Sequence, residues 1–133
     1  MFSPRILSVS FDISLARARQ MLLENEGYVV VTVCTQAAAL QHCRRPDFDL
    51  VILGHSLRDS ERDEIIRSLR SRSSLPILAL LRPNESPILS ATRSVNAMEP
   101  GEVVSAVREM LRKRPQARSA SGNCGSSSSA RSG

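Results

Sequence analysis

The stretch Asp49-Leu-Val-Ile-Leu-Gly-His-Ser-Leu57 carries the fold in its pattern. Leu50 to Leu53 are consecutive apolar residues that run straight into Gly54 and a polar step. A run so short and so uniformly apolar reads as a strand covered on both faces, because a half-solvated strand would alternate. Strands of that kind belong to parallel sheets, whose crossover helices lie above and below.

Similar runs recur at Ile6 to Val9, Tyr28 to Val33 and Pro76 to Leu81, with a weaker one at Val95 to Met98. Helical spacing fills the gaps. Leu15, Ala18, Leu22 and Leu23 share one face of a helix that stops before Gly27. A second helix is expected over Gln36 to Arg44, with Thr35 as N-cap and Pro46 as terminator. A third, about Ser60 to Arg70, turns Ile65, Ile66 and Leu69 inward and Glu61, Asp63, Glu64 and Arg67 outward. The last sets Val103, Ala106, Val107, Met110 and Leu111 at i, i+3, i+4, i+7 and i+8. Strand and helix alternate, which predicts βαβ units with right-handed crossovers and an open α/β sheet. One crossover departs from the pattern: residues 82–94 hold Pro83 and Pro87, and only a short or mobile helix is expected after Pro87.

The chain of 133 residues suffices for one core. Two regions are expected, a folded body over residues 1–114 and a Ser/Gly-rich tail over 115–133 that buries too little apolar surface to offset its ordering entropy. The formal charge of +5 resides in the last part of the chain, where Arg112, Lys113, Arg114, Arg118 and Arg131 face no acid. Before them acids and bases balance, so the body does not read as a nucleic-acid surface. The tail has no aromatic residue for base stacking, so nucleic-acid binding through it stands as the weaker alternative and no specific nucleic acid is expected. No apolar run approaches the roughly 20 residues that span a bilayer. Cys34, Cys43 and Cys124 form no Cys-x-x-Cys pair, and no secretory h-region stands near Met1, so reduced thiols in a cytoplasmic protein are expected. No metal-ligand cluster, Gly-rich phosphate loop or nucleophile–base pair is legible, so no catalytic residue is assigned and no enzyme is expected.

Several segments together resemble the receiver domain of bacterial two-component response regulators, the CheY-like family. They are Arg5-Ile-Leu-Ser-Val-Ser-Phe-Asp12, Glu26-Gly-Tyr-Val-Val30, Ala37-Ala-Ala-Leu40, Phe48-Asp-Leu-Val-Ile-Leu53, Leu75-Pro-Ile-Leu-Ala-Leu80, and Glu99-Pro100 ahead of the terminal helix. The resemblance covers residues 4–114 and implies a flavodoxin-like, doubly wound five-stranded parallel sheet of order 2-1-3-4-5 with helices on both faces. It also places the working site at the carboxyl ends of the strands.

There the family's residues are replaced. Its Mg²⁺-holding acidic pair maps onto Ser10 and Phe11, and its phosphoacceptor aspartate onto Gly54. Its hydroxyl residue after the fourth strand maps onto Leu81, and its lysine before the proline onto Glu99. Mg²⁺ wants carboxylate oxygens, which Phe11 and Gly54 lack, so no cofactor and no Mg²⁺ binding are expected. Gly54 offers no nucleophile, Leu81 no hydrogen bond to a phosphoryl oxygen, and Glu99 repels the dianion.

Among possible substitutes, Asp12 reads first as an N-cap, His55 as a polar loop residue and Ser10 as a partner of local backbone. Phe11 is expected to lie over Gly54, with Glu99 and Arg82 paired across the site. The resemblance then implies a degenerate stand-alone receiver, a pseudo-receiver that acts by contact with a sensor kinase or other signalling protein, or by self-association. The contact face would lie within Pro87 to Leu111 and include Arg93, Val95, Glu102, Arg108 and Glu109, whose plainer reading is ordinary solvated surface. A functional phosphorelay receiver, accepting a phosphoryl group from a histidine kinase, is the alternative.

Overall fold

The computed structural model describes residues 3–44, 47–113, 128–129 and 131–132. The main body runs β1 (Arg5–Val9), α1 (Ile13–Glu24), β2 (Val29–Val33), α2 (Gln36–Cys43), β3 (Leu50–Leu53), α3 (Asp59–Arg70), β4 (Ile77–Leu81), β5 (Arg93–Asn96) and α4 (Pro100–Lys113). The strands form one parallel sheet in the order β2-β1-β3-β4-β5, the expected flavodoxin-like winding. Apart from residues 128–129 and 131–132, which make a separate two-residue ladder, the expected tail over 115–133 lies outside the described residues, as does the boundary at 114.

The sheet divides two apolar layers. Leu7, Val9, Val51, Leu53 and Ile77 turn toward α2 and α3, where they meet Ala39, Cys43, Ile65, Ile66 and Leu69. Ile6, Leu50, Ile52, Leu78 and Leu80 turn the other way onto Leu23 of α1 and Val103, Ala106, Val107 and Met110 of α4. All of β3 and β4 is buried, which is why those runs show no alternation. Each such Leu or Ile contributes about 1.5–3 kcal/mol of apolar transfer.

Local signals fix the helix ends. Asp12 caps α1, its carboxylate accepting the Leu15 N–H at 3.1 Å, and Thr35 caps α2 through the Ala38 N–H at 3.1 Å. Gly27, at φ 95°, makes the left-handed turn that leads from α1 into β2. At α3 the Glu61 carboxylate reaches back to the Arg58 N–H at 2.9 Å, and Asp59 and Glu61 place negative charge where the helix dipole favours it.

Three sequence expectations are corrected. The buried face of α1 is Ala16, Arg19 and Leu23, while Ala18 and Leu22 are exposed and Leu15 is half-buried. Arg19 breaks the apolar pattern, and counting it as outward rotates the helix away from its true face. β5 begins at Arg93, two residues before Val95, because its pairing with Leu78 through Leu81 sets the register. Ala97 and Met98 are already in a turn, closed by the Asn96 side-chain oxygen on the Met98 N–H at 2.9 Å.

The third correction concerns the last crossover. No helix forms between β4 and β5. Residues 82–92 instead run through two tight turns, the first with Asn84 at φ 66°. Pro83 and Pro87 remove backbone donors that a helix would need. The path is held by side chains: the Thr92 hydroxyl accepts the Ile77 N–H at 2.9 Å, and the Ser94 hydroxyl accepts the Ile88 N–H at 3.0 Å.

Candidate site at the carboxyl ends of the strands

β1 and β3 approach one another closely at their carboxyl ends, so a side chain at Gly54 would need its neighbours to give by a few tenths of an ångström. The Gly54 N–H donates to the Val9 carbonyl at 2.7 Å. A Cβ at Gly54 would stand 3.0 Å from that same oxygen, 3.2 Å from the Ser10 Cβ and 3.3 Å from the Ser10 Oγ. Gly54 and Ser10 are both buried. Ser10 directs its hydroxyl to the Asp12 carbonyl at 3.3 Å and lies 3.4 Å from the Ser56 hydroxyl. The Ser56 oxygen also accepts the Phe11 N–H at 2.9 Å. A small hydroxyl network thus stitches the β1 and β3 loops together.

Phe11, expected to lie over Gly54, contributes none of the three atoms nearest a Cβ placed there. It is half-buried against the α2–α3 core layer, and the atoms that crowd Gly54 belong to Val9 and Ser10. Nor does Arg82 pair with Glu99. Arg82 donates through Nε to the His55 carbonyl at 3.1 Å and through Nη2 to the Leu57 carbonyl at 2.7 Å, and its Nη1 lies 3.5 Å from Glu85 and 3.8 Å from Asp59. Glu99 is exposed, and its backbone carbonyl starts α4 by accepting the Glu102 and Val103 N–H groups. Among the described residues its carboxylate has no partner. Leu81 is buried at the end of β4.

The charged centre of this end is one the sequence reading did not find. Arg62, whose side chain is 3 % exposed, donates to Glu85 at 2.8 Å and to Asp59 at 2.9 Å. Glu85 also accepts the Arg82 N–H at 2.9 Å. Partial burial pushes the Glu85 carboxyl up, but the Arg82 backbone bond, the Arg62 hydrogen bond and both guanidinium charges outweigh it, so Glu85 is held below its ordinary value. Arg62 sits three and four residues before Ile65 and Ile66, so helical spacing places it on the buried stripe. Its Nε and Nη1, like the Nδ1 of His55, are buried without a hydrogen-bond partner among the described residues.

The donor set at the strand ends does not suit Mg²⁺. The β1 end offers a buried hydroxyl and a phenyl ring, the β3 end offers backbone, and Asp12 turns its carboxylate to the α1 cap. Among the described residues no group of three His, Cys, Asp or Glu side chains is arranged to hold a metal ion.

The proposed contact face also differs from expectation. Val95 is 9 % exposed and packs inside the α1–α4 core layer, so it presents no surface to a partner. Arg93 is ion-paired to Glu109, and Arg108 reaches Glu26 at 2.6 Å. Hydrogen bonding to Glu26 and its charge raise the Arg108 guanidinium above its ordinary value. Glu102 is exposed.

Solved structures share this fold. A CheY-like receiver domain protein from Methanospirillum hungatei superposes with a TM-score of 0.72 at 20% identity, over 84% of this chain and 96% of that one. The chain has the receiver fold. The Vibrio cholerae chemotaxis protein CheY4 matches with a TM-score of 0.71 at 22% identity, over 82% and 99% of the two chains. A Francisella response regulator receiver domain matches at 0.74 with 13% identity, over 84% and 98%. No protein-family model matches the sequence, and no curated protein matches it. Among the described residues no helix is long and apolar enough to cross a membrane.

Proposed function

We propose that this protein is a receiver-like module of two-component signalling that acts by protein contact, without phosphorylation of an aspartate. The observation that carries the reading is at Gly54: the position that aligns with the phosphoacceptor has no side chain, and a Cβ there would crowd the Val9 carbonyl and the Ser10 side chain at 3.0–3.3 Å. The Mg²⁺ positions at Ser10 and Phe11 are unsuited to the ion, and Leu81 and Glu99 stand where a hydroxyl and a lysine would assist phosphoryl transfer. The reading makes the protein cytoplasmic and free of a resident cofactor, with a sensor kinase or other signalling protein as its partner.

Its contact face is the solvent side of β5 and α4, with Arg93, Glu102, Arg108 and Glu109. The paired charges there hold long side chains in fixed geometry, which lowers the ordering cost of docking. Replacing Arg93 and Arg108 with Glu should abolish capture of the partner in a pull-down, and an unchanged set of partners would remove the assignment.

The rival reading, a functional phosphorelay receiver, draws on the likeness of fold. Incubation with acetyl phosphate and Mg²⁺, followed by intact-mass measurement, separates the two. No adduct of phosphoryl mass is expected, and a stable one would overturn the proposal.

A further inference from the structure

Among the described residues the sheet has two free edges, β2 and β5, and they are built differently. β5 opens on the charged Arg93 and is four residues long. β2 is Val-Val-Val-Thr-Val, with no charge, no proline and an unbroken ladder to β1 over all five residues. Natural edge strands are usually blunted by those devices, and β2 carries none of them.

The hydrogen-bond phase of β2 is fixed by two bonds to neighbouring backbone, Val29 N–H to the Pro4 carbonyl at 2.9 Å and Ser10 N–H to the Val33 carbonyl at 3.1 Å. Odd-numbered residues of β2 therefore face β1, and Val30 and Thr32 turn their N–H and C=O groups out of the sheet. These groups have no protein partner among the described residues.

We infer that the β2 edge joins two copies of this chain, antiparallel, about a two-fold axis at Val31. That axis sets Val30 opposite Thr32 of the second copy, and Thr32 opposite its Val30, as two hydrogen-bonded pairs that satisfy the outward groups. Val31 meets its own symmetry mate as a non-hydrogen-bonded pair. Such an interface is isologous and closes at two copies, so it does not propagate.

Charge selects a second copy as the occupant. α1 runs along β2, fixed by the Thr32 hydroxyl donating to the Gln20 side-chain oxygen at 2.9 Å. Arg17, Gln20 and Glu24 lie three and four residues apart, so they share the helix stripe on the β2 side. Arg17 and Glu24 are both exposed, Arg17 one turn above Gln20 and Glu24 one turn below it. The two-fold axis reverses the second α1, which brings Arg17 of each copy beside Glu24 of the other. Among the described residues the Glu24 carboxylate is occupied in one copy only by the neutral Gln20 amide at 3.0 Å. Among the described residues Arg17 has no partner in its own copy.

Sedimentation velocity of the full chain over a concentration series tests this. A monomer–dimer equilibrium is expected. Arg17→Glu and Glu24→Arg should each weaken it about tenfold, because two symmetric pairs become repulsive, and the double swap should restore it. Thr32→Pro should give a monomer of unchanged far-UV circular dichroism, since that N–H serves no internal ladder bond. Arg93→Glu with Arg108→Glu should leave the dimer intact, which separates this edge from the β5–α4 face. A chain that is monomeric at every concentration, a dimer indifferent to Arg17→Glu, or a double swap no tighter than the single variants would each overturn the inference.

Discussion

The Gly54 N–H and the Val9 carbonyl are 2.7 Å apart, which sets the Val9 oxygen 3.0 Å from where a Cβ on Gly54 would stand. Because the Val9 oxygen belongs to the backbone, a new side chain cannot push it aside without moving β1. Gly54→Ala is therefore expected to lower stability by about 1–3 kcal/mol, the range for over-packing a close-packed site. Gly54→Asp should cost more, since it also buries a charge beside a carbonyl. Urea midpoints read both. Installing the aspartate alone should yield no phosphoryl adduct, as Ser10, Phe11, Leu81 and Glu99 still lack the accompanying chemistry.

Arg62 and Glu85 form the other pivot of this end. Glu85→Ala removes the better-buried of the two carboxylates on Arg62 and leaves it only the exposed Asp59, so it should destabilise by about 3 kcal/mol. Arg62→Met deletes a buried charge together with two unpartnered donors, and should fall within about 1 kcal/mol of the original protein. Denaturant melts that reverse this order would show that Arg62, rather than its neutralisation, organises the corner.

Glu85 also sets an acid limit. Its folded value lies below the ordinary 4.5, so the unfolded chain binds the proton more readily. The stabilisation is complete above 4.5 and disappears as pH falls through the lower folded value. Stability measured across that acid range should decline less steeply in Glu85→Gln than in the original protein.

Cys43 and Cys34 should differ sharply in reactivity. Burial pushes the Cys43 thiol up to about 11, against the opposing influence of the Ser68 hydrogen bond and the Arg72 charge. At neutral pH it is protonated and enclosed, so it should alkylate only on unfolding. Cys34 is half-buried and should react first. Cys124 lies outside the described residues and is best replaced by Ser in this assay. Because the folded thiol value is raised, its contribution to stability should be lost as pH climbs from 9.0 toward 11.

The strand order and most elements were legible because uninterrupted apolar runs such as Leu50 to Leu53 admit few structures. Asp12 and Thr35 announced their helices through capping chemistry that is local in sequence. Arg19 and Arg62 were not legible as buried, because residue type argued outward while helical spacing argued inward, and spacing won. The Arg62–Glu85 contact joins residues 23 apart across a turn that depends on Asn84 entering the left-handed region. No local pattern in the chain specifies that meeting. The replacement of the site residues could be read from the resemblance, whereas the Val9 and Ser10 atoms that crowd Gly54 emerge only from the spacing of two strands.

The helix-free crossover into β5 has a consequence for how the molecule comes apart. β5 lacks the apolar cover that a helix in that connection would lay across it, and Leu89 in the crossover is 96 % exposed. Beyond its ladder to β4, the strand's entry is held by a handful of side-chain bonds from Thr92 and Ser94 and the ion pair of Arg93 with Glu109. Such a unit opens at lower free energy than the doubly covered strands. Amide protons of residues 93–96 should therefore exchange with solvent well before those of β3. The sheet is frayed at one margin and unguarded at the other, and thermal breathing and association act on opposite sides of the same body.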